Sequence, residues 1–338
     1  MHPLRIAVVG ATGMVGRMFL KVLEERGIEA EYTLFASARS AGTELPFMGK
    51  IYKVEALEET GFENRGFSAA LFSAGGSVSQ KFAPLAAKAG AVVIDNSSFW
   101  RMEPDVPLIV PEVNPEALEG YKAKGIIANP NCSTIQAMVA LKPLQEAFGL
   151  KRVIYSTYQS VSGAGHKGWE DLERTLRGEA PQKFPYPIAN NCLPHIDVFT
   201  EDSEGYSKEE WKMVHETRKI LSLPNLPVTA TCVRVPVFSA HSESINVELE
   251  RPFTMEEVFE ALRRQPGLVL EDDPMHNVYP LAANAAGRDE VFVGRVRRDF
   301  SVENGLNLWC VADNLRKGAA TNAVQILELL IKQWEEEV

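Results

Sequence analysis

The segment Gly10-Ala11-Thr12-Gly13-Met14-Val15-Gly16 constrains this chain more than any other. It joins an apolar run at residues 6–9 to a stretch where Met14, Val15, Met18, Phe19, Val22 and Leu23 recur at helical spacing. Glycines at such a junction permit a tight turn and let backbone N–H groups approach a pyrophosphate at the positive end of the helix. The spacing is G-x-x-G-x-x-G, a variant of the dinucleotide fingerprint. A merely structural turn is the competing explanation. The strand-loop-helix setting favours phosphate binding, which makes Gly10, Gly13 and Gly16 candidate cofactor contacts.

Apolar runs at residues 32–36, 69–72 and 91–94 read as further buried strands, with a helix over 79–89 and Gly27 as a helix cap. Short strands alternating with helices imply a parallel sheet with right-handed crossovers. The second strand ends in Ala36-Ser37-Ala38-Arg39-Ser40, without the carboxylate that commonly holds a ribose 2′-hydroxyl. Arg39 and the serine hydroxyls suit a 2′-phosphate, so NADP is expected over NAD; a solvated loop arginine is the alternative.

The pattern changes near Cys132. Ile135, Met138, Val139 and Leu144 mark an amphipathic helix, followed by strand signals at 152–159, 229–238, 244–250, 291–296 and 306–311. Residues 178–194 read as loop, and 207–221 as a helix with Ser207 and Glu210 placed as a capping box. A closing helix covers 319–336. The expected fold is α/β: a doubly wound parallel Rossmann-type domain over 1–131, completed by a C-terminal helix at 318–338, plus an α+β domain over 132–317.

A net charge of -10 excludes a general nucleic-acid surface, because phosphate backbones demand clustered cations. No apolar run approaches membrane-spanning length, and the opening residues show no charged leader with a separate apolar segment. Four scattered cysteines, Cys132, Cys192, Cys232 and Cys310, do not form a disulfide framework. A reduced, cytoplasmic setting is expected.

Cys132 follows Asn129-Pro130-Asn131 and opens its helix, where the dipole favours the reactive thiolate. Cys232 and Cys310 sit in strand-like sequence and read as packing. Of six histidines, His241 is the best-placed proton-transfer partner, in a polar break after the strand signal at 229–238. His2 is terminal (and lies outside the residues the structure describes), and His215 belongs to a charged helix. Cys192 and His195 have C-x-x-H spacing, but no second pair completes a zinc site, so no metal is expected.

GATGMVG at 10–16, SAGGS at 73–77, NSSFWR at 96–101 and VPEVN at 110–114 form an ordered series with NPNCSTIQ at 129–136. STYQSVSGAG at 156–165, VRVPV at 233–237 and AHSES at 240–244 complete it. By these motifs the chain resembles the aspartate-semialdehyde dehydrogenase family over essentially its whole length. The resemblance implies Cys132 as acyl-thioester nucleophile, His241 as acid/base and Gln159 as the residue orienting the reacting group. It implies Arg234 on the substrate α-carboxylate, Glu209 on its amino group, and Arg101, Asn131 and Lys212 at a phosphate site. Thr12, Met14, Val15, Arg39, Ser40, Ser73, Gly75, Ser162, Gly163 and Asn314 take cofactor-binding positions. Each has a plainer competitor: Glu209 and Lys212 as an exposed i,i+3 pair, Arg101 as a loop charge, Arg234 as a solvent-facing strand residue. Trp100 departs from the phenylalanine usual in this family.

The activity so implied is NADPH-dependent reduction of aspartyl 4-phosphate to the semialdehyde, on the route to lysine, methionine and threonine, by a homodimer. An N-acetyl-γ-glutamyl-phosphate reductase would share the chemistry, but its cysteine motif usually reads NPGCYPT. A catalytically silent binding protein should lack the cysteine or the histidine, and both are present.

Overall fold

The computed structural model describes residues 3–201 and 203–336. The chain divides into two compact units, Met1–Pro130 with Ala319–Val338, and Asn131–Gly318.

In the first unit, β1 (Arg5–Val9) continues through the glycine loop into α1 (Met14–Glu25). Then come β2 (Glu31–Ala36), β3 (Glu44–Phe47), β4 (Lys50–Lys53), β5 (Glu55–Ala56) and β6 (Ala69–Phe72). α2 (Gly76–Lys88), β7 (Val92–Asp95) and β8 (Ile126–Ala128) follow. Six strands form a parallel sheet in the order β5-β2-β1-β6-β7-β8. Strand order reverses between β1 and β6, and in such sheets ligands bind beyond the carboxyl ends at that switch point. The glycine loop leaves β1 there, and Ser73–Ser77 leaves β6 beside it, with Ser73 N donating to Val9 O at 2.9 Å.

α1 buries Phe19, Val22 and Leu23 on one face, as their spacing dictates, and Gly27 ends it at φ +63°. The C-terminal helix Asn322–Glu336 joins the same core through Ala323, Val324, Leu327 and Leu330. It starts three residues later than the sequence suggests, because Arg316–Thr321 form a π-helical turn. The β3–β4 hairpin escaped the sequence pattern. Met48 (φ +50°) and Gly49 (φ +67°) make its two-residue turn, without the usual Asn-Gly signal.

The second unit opens with α3 (Cys132–Phe148) and β9 (Leu150–Gln159), then α4 (His166–Leu176) and α5 (Lys208–Ile220). β10 (Val228–Arg234), β11 (His241–Leu249), α6 (Met255–Arg264), β12 (Leu268–Leu270), β13 (Val291–Asp299) and β14 (Gly305–Ala312) complete it. Its six-stranded mixed sheet runs β10-β9-β11-β14-β13-β12. β10 and β9 are parallel, whereas β11 pairs antiparallel with β9 and with β14. The capping box of Ser207 and Glu210 is present at the start of α5.

Two boundaries differ from the sequence pattern for one reason. β10 stops at Arg234 rather than 238, because Pro236 has no N–H for a ladder. His241 consequently begins β11 instead of lying in a break between strands.

Candidate active site

In the first unit, the glycines divide by role. A Cβ on Gly10 (φ +85°) would lie 2.9 Å from Ser73 O, and one on Gly16 would lie 2.0 Å from Gly10 O. Both are needed for close backbone packing. Gly13 is exposed and caps α1 without a side chain of its own to accept from the first-turn amides, and that turn holds no acid. Thr12, Met14 and Val15 beside it are half-buried. Gly75 (φ +88°) caps α2 in the same way, with open space around its Cα. Uncapped helix N-termini at a switch point fit the phosphates of a dinucleotide. Arg39 and Ser40 lie in the 3₁₀ turn Ala38–Ser40 after β2, Arg39 exposed and Ser40 half-buried.

Arg101 also belongs to this unit and is 7% exposed, not a loop charge in solvent. Its Nε donates to Asn129 O at 2.9 Å and its Nη2 to Asn96 O at 3.0 Å. Trp100 is anchored beside it, its indole Nε1 donating to Ser79 Oγ on α2 at 3.1 Å. That bond is one a phenylalanine could not make.

In the second unit, strand period and register bring the candidate residues together. Side chains alternate across a sheet, so Gln159, Arg234 and His241, each at a strand terminus on neighbouring strands, share the buried face. α3 packs on this sheet and begins at Cys132, which is half-buried. Asn131 caps α3, its Oδ1 accepting from Ser133 N at 3.0 Å and Thr134 N at 3.3 Å. Such a cap is worth about 1 kcal/mol and aligns the turn that carries the nucleophile. The other end of the same side chain donates to Glu209 Oε1 at 2.9 Å.

Glu209 and Lys212 are not an exposed pair. Glu209 is 4% exposed and accepts from Asn131 Nδ2, Gln159 Nε2 (3.3 Å) and Lys212 Nζ (3.0 Å). Burial alone would raise its pKa, but Lys212, Asn131 and Arg234 outweigh it and bring the carboxyl down to about 2. Lys212 holds Asp197 as well, at 2.7 Å; burial opposes its charge, and the two carboxylates more than restore it. Arg234 is also buried rather than solvent-facing, its Nη1 donating to Ser160 O at 2.7 Å. Burial lowers its pKa, and Glu209 and the Cys132 sulfur pull it back.

His241 is fully buried, and burial together with Arg234 depresses its pKa to about 3. Its Nδ1 accepts from Ser160 N at 3.0 Å, and Nε2 has no hydrogen-bond partner among the described residues. Asn314 Oδ1 accepts from Ser160 Oγ, Ser162 Oγ and Ala240 N, all within 3.1 Å. Gly163 closes the group: a Cβ there would lie 2.8 Å from Arg234 Nη1 and 3.2 Å from His241 Nε2.

Ser160, Asp197, Glu216 and Glu243 are additions that sequence reasoning did not single out. Glu216 accepts from Asn131 N at 2.7 Å, and it lies seven residues after Glu209, on the same face of α5. Glu243 follows His241 by two residues on the same face of β11 and is fully buried. Burial pushes its carboxyl well above the usual range; Ser133 lies close enough to temper this without hydrogen-bond geometry. His195 stacks on Phe199, and among the described residues no group of three or more His, Cys, Asp or Glu could hold a metal ion.

Two family models match the chain: a semialdehyde dehydrogenase NAD-binding domain over residues 5–121 and a semialdehyde dehydrogenase dimerisation domain over residues 141–317. An aspartate-semialdehyde dehydrogenase of Aquifex aeolicus is 60% identical over 338 residues, covering 97% of this chain and 98% of that protein. The chain belongs to the aspartate-semialdehyde dehydrogenase family. The Bacillus subtilis aspartate-semialdehyde dehydrogenase is 48% identical, covering 97% of this chain and 98% of its own length. Among solved structures, Vibrio cholerae aspartate-semialdehyde dehydrogenase II, complexed with ASA, superposes with TM-score 0.93 at 48% identity over 98% of this chain and 99% of that one. The Candida albicans member, solved with NADP, gives TM-score 0.75 at 26% identity over 97% of this chain and 98% of that one. Cys132 falls between the two stretches matched by the models.

Proposed function

We propose that this chain catalyses the NADPH-dependent reductive dephosphorylation of L-aspartyl 4-phosphate to L-aspartate 4-semialdehyde through an acyl thioester on Cys132. The observation that carries this is one buried face on which Arg234, Gln159, Glu209 and His241 gather around the helix that Cys132 begins. These groups match an amino-acid substrate. Arg234 holds the α-carboxylate, and Glu209, ionised and with room for one more donor, holds the amino group. Lys212, Asn131 and Arg101 serve the phosphate.

The Cys132 thiolate, favoured by the α3 N-terminus and by Arg234, attacks the acyl carbon and expels phosphate. Gln159 orients the carbonyl, and His241 manages charge and proton at the reacting oxygen. NADPH, when bound, supplies the hydride that reduces the thioester. Residues Gly10–Gly16, Ser73 and Gly75 would hold its phosphates and Arg39 and Ser40 the 2′-phosphate, and the family resemblance adds Ser162, Gly163 and Asn314 as cofactor positions. The second unit's sheet supports a homodimer, and the enzyme works in the cytoplasm without a metal.

The test is NADP reduction by purified protein supplied with aspartate semialdehyde and either phosphate or arsenate. Turnover dependent on the oxyanion is expected. A folded sample that binds NADP yet leaves this aldehyde untouched would overturn the assignment.

A further inference from the structure

The chain leaves the first compact unit after Pro130 and re-enters it at Ala319. Cys132 lies just beyond the first connection, and Gly318, whose bare Cα packs against Cys132, immediately precedes the second. Asn129 stands beside both connections and is fully buried. Its Nδ2 donates to Ala319 O at 3.1 Å, on the returning connection, and to Asn96 Oδ1 at 2.7 Å. Its Oδ1 accepts from Asn322 Nδ2 at 2.7 Å, and the same Nδ2 donates to Ile109 O at 2.9 Å. The carbonyls of Ala319 and Ile109 can only accept, which fixes the orientation of both side-chain amides. The main chain of Asn129 is held as firmly. Its N–H donates to Asp95 O at 2.8 Å, and its carbonyl accepts from Arg101 Nε at 2.9 Å. Pro130 follows, with φ set by its ring, and then the Asn131 cap of α3.

We infer that Asn129 is a positioning residue whose side-chain amide ties the outgoing connection to the returning one and thereby holds Cys132 in place. The inference rests on the function proposed above and deepens it, by naming a residue that acts on the nucleophile through the backbone. A buried amide whose donors and acceptor are all engaged cannot turn elsewhere without stranding polar groups away from water. Only Pro130 and Asn131 separate Asn129 from Cys132, and the proline removes one of the few rotations between them. A shift at Asn129 is therefore passed on to the first turn of α3. The second route runs through the carbonyl that Asn129 holds. Ala319 is bonded to Gly318, so a slip of the returning connection presses on the base of Cys132. Both routes end on the same residue.

The test uses two substitutions in the full-length protein. Asn129→Asp keeps the size, the acceptor for Asn322 and both backbone bonds, and removes the Nδ2 donor that reaches Ala319 O and Asn96 Oδ1. Asn129→Ser shortens the side chain, leaves one hydroxyl in place of the amide and adds no charge, so it serves should the aspartate fail to fold. In each folded variant kcat should fall roughly ten- to a hundredfold, the cost of misplacing a reacting atom by a fraction of an ångström to about 1 Å. KM for the aldehyde should stay nearly unchanged, because Arg234 and Glu209 belong to the other compact unit. The rate constant for alkylation of Cys132 by iodoacetamide should change about fivefold or more, since it reads the sulfur's surroundings without any turnover. A lower unfolding temperature with kcat and alkylation both as in wild type would make Asn129 structural only and overturn the inference. So would a raised KM at unchanged kcat. Absence of turnover in the wild type would instead defeat the proposed function, while alkylation would still decide whether Asn129 positions Cys132.

Discussion

Gly318 packs directly on Cys132: a methyl group on its Cα would sit 2.8 Å from Cys132 Cβ and 3.2 Å from its Cα. The contact is with the base of the nucleophile, not the tip of a flexible side chain, and Gly318 lies in the π-helical turn Arg316–Thr321. Single π turns occur often at functional sites, where they set a local backbone position that an α-helix would miss.

Gly318→Ala should therefore displace Cys132 while leaving the fold intact. A shift approaching 1 Å at a reacting atom costs on the order of a hundredfold in rate. The expected result is a fall in kcat of roughly ten- to a hundredfold, with a changed rate of Cys132 alkylation by iodoacetamide. Gly120→Ala serves as control, since the nearest atoms its added Cβ would meet belong to Pro107, at an ordinary 3.5 Å. Equal activity for the two variants would mean that the contact does not position the nucleophile.

Cys132→Ser should abolish turnover and leave NADP affinity nearly unchanged. The glycine loop belongs to the other compact unit, and a serine preserves the volume beside Gly318 and the helix start. Turnover and cofactor titration on one preparation check both halves. Activity surviving at a tenth of wild type, a difference of only about 1.4 kcal/mol in barrier, would remove Cys132 from the nucleophile's role.

The legible parts of this protein are those written in side-chain periodicity. The strand at Ala69–Phe72, the apolar face of α1 and the Ser207–Glu210 cap could be read directly, because each depends on residues a few positions apart. Site geometry was hidden where burial decides it. Glu209 and Lys212 at i,i+3 look like a solvated pair until α5 is laid against β10 and Asn131. Ser160 escaped notice because the atom that meets His241 is a backbone N–H, which every residue except proline possesses. Glu243 had the right spacing from His241, but nothing in a sequence says that a strand glutamate faces inward with no hydrogen-bond partner among the described residues.

Glu209→Gln should weaken substrate binding more than it slows chemistry, because the change removes a charge aimed at the amino group and keeps the size. KM for aspartate semialdehyde should rise about tenfold or more. The variant should also alter acid stability. In the folded protein Glu209 titrates near 2 against a reference of 4.5, so the native state binds fewer protons between those values. Its contribution is fully present above pH 4.5 and is lost as pH falls towards 2. Urea unfolding of wild type and Glu209→Gln should differ most above pH 4.5 and converge on acidification. A constant gap would show that the ionised carboxylate is not what the fold retains.

Glu243 predicts the opposite slope. It is buried, has no hydrogen-bond partner among the described residues, lies near Ser133 and the charge of Glu209, and its folded pKa lies well above the reference of 4.5. Above pH 4.5 the unfolded chain releases this proton while the native chain keeps it, so the native state binds more protons and stability falls as pH rises. The limiting slope for one such group is about 1.4 kcal/mol per pH unit. Glu243→Gln keeps the shape and the neutral, donating form, and it removes the titration. The stability of this variant relative to wild type should therefore increase steadily above pH 4.5, while kcat at neutral pH stays close to wild type. Chemical unfolding at successive pH values reads the first quantity, and the oxyanion-dependent assay reads the second. If the gap between the two proteins were flat across this range, Glu243 would be ionised in the fold, and a counter-charge would have to face it.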